Sequence, residues 1–356
     1  MKIIVWGTGQ IAGGYLIRRA YHVNDEIIAF TDNNKMLWGQ KYENYTILAP
    51  DELCDKEFDR LVICTIHYEE IEEQIQRLLD IDQNKVITYF EVEEETKRFL
   101  INKYKDSSDS EIQKVVGFYK VNPLNVFGYY EGDNEVTYPV FYESDGMPYI
   151  WFENKKMYYP MDYDNFVLID GRKYVMNVMY EQGEHSPHRY VQSDNFTGEN
   201  MVIVDAGVCE GNFALRYVEH AKKIYLIESD KDWMEALHRT FKPYVDKVVF
   251  CSRFLSGEDS DTTITLDTLI SEKIDFLKMD IEGYEREALR GGSRVLSESI
   301  ANCAICSYHR HGDEAAIRGL LEDYGYHTDV SEGYMFFPFD TELEFRKGVV
   351  YGRKES

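Results

Sequence analysis

The fold is constrained most by one short segment, residues 201–212, which reads MVIVDAGVCEGN. It predicts an apolar strand, then Asp205, a turn with two glycines, and a helix that begins at Asn212. A strand that passes through a glycine turn directly into a helix starts a β–α unit, and open α/β sheets bind ligands at the carboxyl ends of such strands. Strands and helices keep alternating after this segment, which predicts a mostly parallel sheet.

A carboxylate, Glu228, stands at the end of the next predicted strand, Lys223 to Ile227. A carboxylate there can accept hydrogen bonds from both hydroxyls of a ribose. One acid ahead of two glycines suits an amino acid and a nucleoside better than two phosphates. The predicted S-adenosylmethionine site consists of Asp205, Gly207, Gly211, Asn212, Glu228 and Asp280.

Two acids follow the predicted strand Ile274 to Met279, in the run KMDIEGYE. Asp280 and Glu282 are therefore expected at the same rim of the sheet as Glu228. They can hold the ammonium of the cofactor, the hydroxyl of an acceptor or a divalent cation. For the nearby Glu285 we favour a capping role at the start of the next helix. The sequence assigns no metal site and leaves open a cation at Asp280 and Glu282.

A cationic cluster, YHRH, follows the next predicted strand. His309 is the candidate general base, since an imidazole titrates near the working pH. Arg310 is suited to a carboxylate or phosphate of the acceptor. The earlier loop EQGEHSPHRY either lines the acceptor side, covers the cofactor or is a structural linker. The predicted catalytic residues are His309 and Asp280, and the predicted substrate-binding residues are Arg310, His188, Arg189 and Glu282.

These motifs, in this order and spacing, resemble the FkbM family of S-adenosylmethionine-dependent methyltransferases. The resemblance covers roughly residues 200 to 310 and is carried by VIVDAGVCEGNFALRY, IYLIESD and IDFLKMDIEGYEREALRGG. It implies a class I methyltransferase fold with a seven-stranded, mostly parallel sheet, and usually methyl transfer to an oxygen. By analogy, cofactor roles fall on Asp205, Gly207, Gly211, Glu228 and Asp280. Many members have Glu-Pro where this chain has Glu228-Ser229, which keeps the acid and changes the turn.

Residues 1–95 predict a separate α/β module. The run GTGQIAGG follows a predicted strand and opens a helix, and Asp32 ends the next strand. Gly7, Gly9 and Asp32 are therefore candidates for a nucleotide or NAD site. The alternative is a structural role for the loop, and no hydride-transfer residues follow it. This module is loosely similar to the Rossmann-type domains of bacterial sugar-modifying and capsule-synthesis enzymes, which implies a glycan context.

The predicted fold class is α/β, with two Rossmann-like modules and a small Tyr-rich β segment between them. Twelve of the 28 tyrosines lie in residues 115–195, and tyrosine is a good strand residue. The predicted divisions are a nucleotide-binding-type domain at 1–95, a helix and linker at 96–114, a Tyr-rich cap or connecting segment at 115–195, and an FkbM-type methyltransferase domain at 196–356.

Composition disfavours several classes of function. Asp and Glu number 64 against 39 Lys and Arg, a net charge of −25, which repels nucleic acid and anionic membrane surfaces. No apolar run approaches the roughly 20 residues of a membrane span, and the six cysteines do not form a disulfide framework. We expect a bacterial, cytoplasmic enzyme that acts on a small-molecule or carbohydrate acceptor, with a homo-oligomer left open.

The sequence thus predicts an S-adenosylmethionine-dependent methyltransferase that transfers a methyl group in line to a hydroxyl of a sugar, a glycan or a related acceptor, with a histidine base. Two alternatives stay open. One is a nucleotide-binding or regulatory protein with a non-catalytic methyltransferase fold. The other is an NAD-dependent enzyme that acts through the N-terminal module.

Overall fold

The computed structural model describes residues 1–132, 136–176, 178–192, 196–299 and 301–354. The chain divides into two compact units, Met1–Val126 with Phe336–Phe345, and Phe127–Met335 with Arg346–Ser356. The first unit thus extends past the predicted boundary at residue 95, while the predicted boundary at residue 195 lies outside the described residues. In the described part of the chain, no helix combines the length and the apolar character that crossing a membrane requires.

The first unit is built around a parallel sheet. Its strands are β1 (Lys2–Trp6), β2 (Glu26–Thr31), β3 (Lys41–Tyr42), β4 (Tyr45–Leu48), β5 (Arg60–Ile63) and β6 (Val86–Thr88). Its helices are α1 (Gln10–Ile17), α2 (Tyr68–Leu78), α3 (Tyr89–Tyr104) and α4 (Ser110–Tyr119), with 3-10 turns at Arg19–His22, Lys35–Leu37, Pro50–Asp55 and Gln83–Lys85. The strand order is β3-β4-β2-β1-β5-β6, and only β3 runs antiparallel to its neighbour.

Two small antiparallel sheets begin the second unit, within the Tyr-rich segment. Their strands are β7 (Thr137–Pro139), β8 (Phe141–Tyr142), β9 (Pro148–Phe152), β10 (Lys155–Tyr158), β11 (Val167–Ile169) and β12 (Arg172–Met176), followed by a 3-10 turn at Tyr180–Gln182. The orders are β10-β9-β8 and β11-β12-β7. Aromatic and β-branched residues supply most of these strands, as their β-propensity favours.

The rest of the chain contains a seven-stranded sheet in the second unit and two separate strand pairs. The strands that follow are β13 (Val202–Ala206), β14 (Lys223–Ile227), β15 (Val248–Cys251), β16 (Phe254–Leu255), β17 (Thr263–Ile264), β18 (Phe276–Met279), β19 (Asn302–Cys306), β20 (His327–Val330), β21 (Met335–Phe336), β22 (Phe345–Arg346) and β23 (Val349–Arg353). The separate pairs are β16 with β17 and β21 with β22, the latter at the boundary between the units in the sequence. The helices are α5 (Asn212–Tyr217), α6 (Lys231–Thr240), α7 (Leu266–Leu269), α8 (Glu285–Arg290), α9 (Ser293–Glu298) and α10 (Asp313–Asp323), with a 3-10 turn at Lys242–Tyr244.

The order of this sheet decides where a ligand can lie. It is β15-β14-β13-β18-β19-β23-β20, in which only β23 runs antiparallel to its neighbours. The chain builds outward from β13 in one direction and then returns to place β18 on the other side. The carboxyl ends of β13 and β18 therefore flank a topological switch point, where open α/β sheets bind ligands. Ala206 pairs with Ile227 and with Met279, so β13, β14 and β18 end at one level.

The C-terminal strands differ from the prediction. Tyr334–Phe337 and Gly348–Tyr351 are predicted to pair with each other, and this is wrong. β21 pairs with β22, while β23 lies between β19 and β20. The sequence missed β20 because its residues, HTDV, have no apolar periodicity. This strand depends on its partner in the sheet rather than on local preference.

Candidate functional site

A cavity of about 1030 Å³ lies in the second unit, where β13, β14 and β18 end. The level carboxyl ends of these strands bring Gly207, Glu228 and Asp280 to one wall. The Tyr-rich segment forms another wall. It contributes Tyr159, Tyr163, Val175, Met176, Val178, Tyr180, Glu181, His188 and Tyr190. The segment predicted as a cap or a connection therefore lines the same space as the strand ends.

The turn after β13 needs glycine at two positions for two reasons. Gly207 has a φ of +74°, and a Cβ there would lie 1.7 Å from the carbonyl oxygen of Asp280. Gly211 has a φ of +79°, and its Cβ would lie 2.7 Å from the side chain of Leu237 on α6. Gly207 lines the cavity and Gly211 does not. Gly211 therefore serves packing, while Gly207 brings backbone to the cavity wall.

Asp205 lies behind the cavity wall. Its side chain is 1% exposed, and its Oδ1 is 3.1 Å from Nζ of Lys278, a residue that is 4% exposed. Lys278 also donates to the carbonyl oxygens of Ala206 and Gly207 and lines the cavity. Burial opposes the charge of Lys278, but the carboxylate of Asp205 raises the pKa of this ammonium above its ordinary value. Asp205, a predicted cofactor residue, is not among the residues that line the cavity, whereas Lys278 and Gly207 beside it are.

Glu228 lies at the cavity wall and is held by backbone amides. Its Oε2 accepts a hydrogen bond from the N–H of Cys209, and its Oε1 accepts one from the N–H of Asp230, both at 2.9 Å. Each carboxylate oxygen has two lone pairs, so both oxygens can accept a further hydrogen bond from a ligand. Asn212 also lines the cavity and donates to the carbonyl of Val178 at 2.8 Å.

Asp280 stands at the centre of a dense network. Its Oδ2 accepts from the hydroxyl of Tyr190 at 2.8 Å and lies 3.3 Å from Nε2 of His188. Its Oδ1 accepts from the hydroxyl of Tyr308 at 3.3 Å and lies 3.4 Å from Nε2 of His309. Burial acts to raise the pKa of Asp280, but the hydrogen bond and charge of His188 and the charge of His309 hold it well below its ordinary value. The carboxyl group is therefore a carboxylate.

His309 lies behind two residues of the cavity wall, with Nε2 3.4 Å from Oδ1 of Asp280 and 3.6 Å from Oε2 of Glu282. It is buried, does not line the cavity, and places Nδ1 3.1 Å from Oε1 of Glu285. Burial lowers the pKa of His309, but the hydrogen bond to Glu285 and the neighbouring carboxylates raise it on balance. Glu285 also accepts hydrogen bonds from the N–H groups of Ile281 and Gly283, so it binds the turn before α8 and does not cap the helix as predicted.

His188 is the histidine that lines the cavity. Its Nδ1 lies 3.2 Å from Oε2 of Glu181. Burial acts to lower the pKa of His188, but the charge of Glu181 and the hydrogen bonds to Asp280 and Cys306 raise it well above its ordinary value. The sequence assigns His188 to substrate binding and His309 to catalysis, yet His188 has the more direct position at the cavity wall.

The two arginines predicted to hold an acceptor lie outside the cavity wall. The guanidinium of Arg310 lies over the ring of Tyr284, 4.9 Å from its centre, and Arg189 donates to the carbonyl of Glu184 at 3.4 Å. Glu282 does line the cavity, with an exposed side chain and a φ of +56°. Sequence spacing alone could not show whether the two arginines face the cavity, because a side chain in a loop can point toward the cavity or away from it.

Several residues of the site were not singled out by the sequence analysis. They are Lys278, Glu181, Tyr190, Tyr308 and Arg346. Lys278 had a usable signal, a charge within the apolar strand FLKM, because a buried charge requires a partner. Arg346 had none. It is buried and donates to the carbonyls of Tyr308 and His309 at 2.9 and 3.0 Å, which fixes the loop after β19.

The N-terminal candidates line a separate cavity of about 520 Å³ in the first unit. Gly7 has a φ of +116°, and its Cβ would lie 2.7 Å from the carbonyl oxygen of Cys64. Asp32 accepts from the hydroxyl of Thr8 and from the N–H of Asn34, both at 2.8 Å. Gly7 and Asp32 therefore each have a structural role that requires no nucleotide, although Gly7, Gly9 and Asp32 all lie at the cavity wall.

Two family models match different parts of the chain. Residues 184–328 match the methyltransferase FkbM domain, which confirms the resemblance over that range. Residues 1–87 match the family described as C2185-like, N-terminal. The predicted Rossmann-type nucleotide-binding domain is therefore not confirmed, and no finding supports a nucleotide or NAD there.

Several solved methyltransferase structures are similar to this chain. One is a methyltransferase FkbM from Methylobacillus flagellatus KT, with 16% identity over 99% of this chain and 89% of that one, at a TM-score of 0.46. Another is a precorrin-6y C5,15-methyltransferase from Geobacter metallireducens GS-15, with 16% identity over 44% of this chain and 82% of that one, at 0.32. A fibrillarin from Aeropyrum pernix with natively bound S-adenosyl-L-methionine has 11% identity over 61% of this chain and 99% of that one, at a TM-score of 0.32. No curated protein matches the chain.

The buried pair of Asp205 and Lys278 gives a stability prediction. We expect Lys278→Met to lower the free energy of unfolding by about 3–5 kcal/mol, because it leaves a buried carboxylate without its partner. The double variant Asp205→Asn/Lys278→Met should be more stable than Lys278→Met alone. Urea unfolding measures both changes.

The matched control is an exposed ion pair in the same sheet. Arg353 lies 3.7 Å from Asp329, and both side chains are 62% exposed. Arg353→Met should change the stability by no more than about 0.5 kcal/mol. Equal losses in Lys278→Met and Arg353→Met would contradict a special role for the buried pair.

Proposed function

We propose that this protein is an S-adenosylmethionine-dependent methyltransferase of class I, and that it methylates a hydroxyl oxygen. The observation that carries the proposal is the cavity at the switch point of the seven-stranded sheet, with Gly207 and Glu228 at its wall. The match of residues 184–328 to the methyltransferase FkbM domain supports the same activity.

The cofactor is assigned to the side of the cavity formed by β13 and β14. Glu228 accepts hydrogen bonds from the ribose hydroxyls, using lone pairs that its two backbone donors leave available. Gly207 exposes backbone to the amino-acid part, and Asn212 lies beside it. Ligand pockets commonly measure about 300–1,000 Å³, so a cavity of about 1030 Å³ has room for a cofactor and an acceptor together.

The methyl group moves by displacement at carbon. The acceptor oxygen forms a bond to the methyl carbon, the bond from that carbon to sulfur breaks, and the electron pair stays on sulfur to give S-adenosylhomocysteine. The sulfonium is already electrophilic, so the protein mainly aligns the acceptor. Asp280 accepts the hydrogen bond of the acceptor hydroxyl, and the proton passes to His309 behind it, where Glu285 stabilises the imidazolium.

The charges at the cavity wall favour an uncharged acceptor. Five carboxylates line it among the described residues, namely Glu181, Glu210, Glu228, Asp280 and Glu282. The cationic side chains are Arg253, Lys278 and His188, and Lys278 and His188 each lie beside a carboxylate. A phosphate would meet net repulsion here. A sugar or glycan hydroxyl fits this wall because it can donate to carboxylates and pack against the aromatic rings.

Cofactor binding is tested at Glu228. We expect Glu228→Gln to weaken S-adenosylmethionine binding by roughly 10- to 150-fold, because a hydrogen bond to a charged group contributes about 1.5–3 kcal/mol. Isothermal titration calorimetry measures the change. Glu235→Gln on α6, an exposed position outside the cavity wall, should bind like the wild type. Undiminished affinity in Glu228→Gln would remove the ribose assignment.

The acceptor is tested with radiolabelled S-adenosylmethionine. Uncharged methyl glycosides should accept the label, and the matching sugar phosphates should accept it at least tenfold more slowly, because the carboxylates at the cavity wall repel them. Preferred labelling of the phosphates would overturn the charge argument. Cofactor binding without transfer to any hydroxyl would favour a non-catalytic methyltransferase fold.

The base is tested by His309→Gln. This variant keeps a hydrogen-bond donor beside Asp280 but cannot accept the proton. We expect kcat to fall by roughly 10²–10⁴-fold while the Kd for S-adenosylmethionine stays within about twofold. His311→Gln, at an exposed neighbouring position, is the control and should retain kcat. A normal kcat in His309→Gln would show that the proton leaves by another route.

A further inference from the structure

We infer that His188, Asp280 and Cys306 form a binding site for a divalent transition-metal ion, of which zinc is the best match. Nε2 of His188 lies 3.3 Å from Oδ2 of Asp280 and 3.4 Å from Sγ of Cys306. The candidate ligand atoms of the three residues all lie within 4.8 Å of one another. They come from a loop of the Tyr-rich segment and from the ends of β18 and β19.

The spacing fits a tetrahedral ion. Zinc bonds to nitrogen, oxygen and sulfur are about 2.0–2.3 Å long, and tetrahedral angles then separate the ligand atoms by roughly 3.3–3.7 Å. The two distances at His188 are close to that range. A set of one imidazole, one carboxylate and one thiolate favours zinc over magnesium or calcium, which prefer oxygen ligands.

A second layer of contacts holds the histidine in the orientation that a metal requires. Oε2 of Glu181 lies 3.2 Å from Nδ1 of His188 and can accept a hydrogen bond from Nδ1–H. In this tautomer the lone pair is on Nε2 and is directed at Asp280 and Cys306. The ring also packs edge-on against Tyr190 and Tyr308, at centroid distances of 5.0 and 5.1 Å. Carboxylate–histidine–metal arrangements of this kind are typical of zinc sites.

The position of these three residues distinguishes them from a second candidate metal-binding cluster nearby. Asp280, Glu285 and His309 also lie close together, but Oε1 of Glu285 already accepts hydrogen bonds from two backbone amides, whereas Oδ2 of Asp280 accepts one, from the hydroxyl of Tyr190. His309 and Glu285 also lie away from the cavity wall. His188 and Asp280 line the cavity, so an ion bound by three protein ligands there would have its fourth position open to the cavity, as catalytic zinc sites do.

The consequence for the reaction rests on the proposed function. An ion at this place would bind the acceptor oxygen and lower the pKa of its hydroxyl, which eases loss of the proton. Binding of the ion itself releases the thiol proton of Cys306 and any proton on Nε2 of His188. The alternative use of the same three atoms is a hydrogen-bond network, in which Nε2–H of His188 donates to the carboxylate and the sulfur.

The first test is metal content. The full-length protein, stripped with a chelator and dialysed against zinc, should hold one zinc per chain by elemental analysis. Cys306→Ala should lose this zinc. Cys303→Ala should keep it, since Cys303 is another buried residue of β19 outside the cluster. Glu181→Gln should weaken zinc binding by about 10- to 100-fold. Equal zinc in Cys306→Ala and the wild type would overturn the site.

Cobalt provides a measurement that does not depend on the variant folding. Co²⁺ bound to the wild-type protein should show a thiolate-to-cobalt absorption band in the near ultraviolet, and its absence would overturn the site. Calorimetry of the stripped protein with S-adenosylmethionine separates the two proposals. If the protein binds the cofactor but no metal, the proposed function stands and the metal site is overturned. If the protein binds the metal but no cofactor, the metal site stands and the proposed function is overturned.

Discussion

The close approach of two backbone segments, the turn after β13 and the end of β18, underlies the rest of the site. Gly207 carries no side chain because a Cβ would lie 1.7 Å from the carbonyl oxygen of Asp280. The ammonium of Lys278 joins the same two segments, since it pairs with Asp205 and donates to the carbonyl of Gly207. The cofactor side and the acceptor side of the proposed site therefore have a fixed separation, set by backbone contact and one buried charge pair rather than by mobile side chains.

The acidic end of the cavity is stable because carboxylates and imidazoles alternate along it. Glu181, His188, Asp280, His309 and Glu285 follow one another, with neighbouring atoms 3.1 to 3.4 Å apart. Each histidine lies between two carboxylates, and Asp280 lies between two histidines. Burial of an unpaired carboxylate costs free energy. In this row of five side chains, each carboxylate lies beside an imidazole, which offsets that cost. It also means that a proton or a cation bound at one member changes the charge balance of all the others.

The same glycine-turn pattern has different physical reasons in the two units. In the second unit, Gly207 brings backbone to a large cavity between strands whose order reverses. In the first unit, Gly7 avoids the carbonyl of Cys64, which directly follows the neighbouring strand β5, and Asp32 accepts hydrogen bonds from Thr8 and Asn34. A glycine run after a strand shows where the chain turns, and only the surroundings of that turn show whether a ligand needs it.

The sequence by itself determined the main parallel strands of both units, because apolar runs between turns are strong local signals, but it did not determine β20. It also placed Gly207, Glu228 and Asp280 at the ends of strands and Asn212 at the start of a helix, and these four residues do line one cavity. Tertiary structure alone decided that Asp205 lies behind the wall, that His188 faces the cavity in place of His309, and that Arg310 turns away from it. The reason is physical. Local sequence sets which strand a residue ends, whereas the direction of a side chain in a loop depends on charges and rings that come from distant parts of the chain.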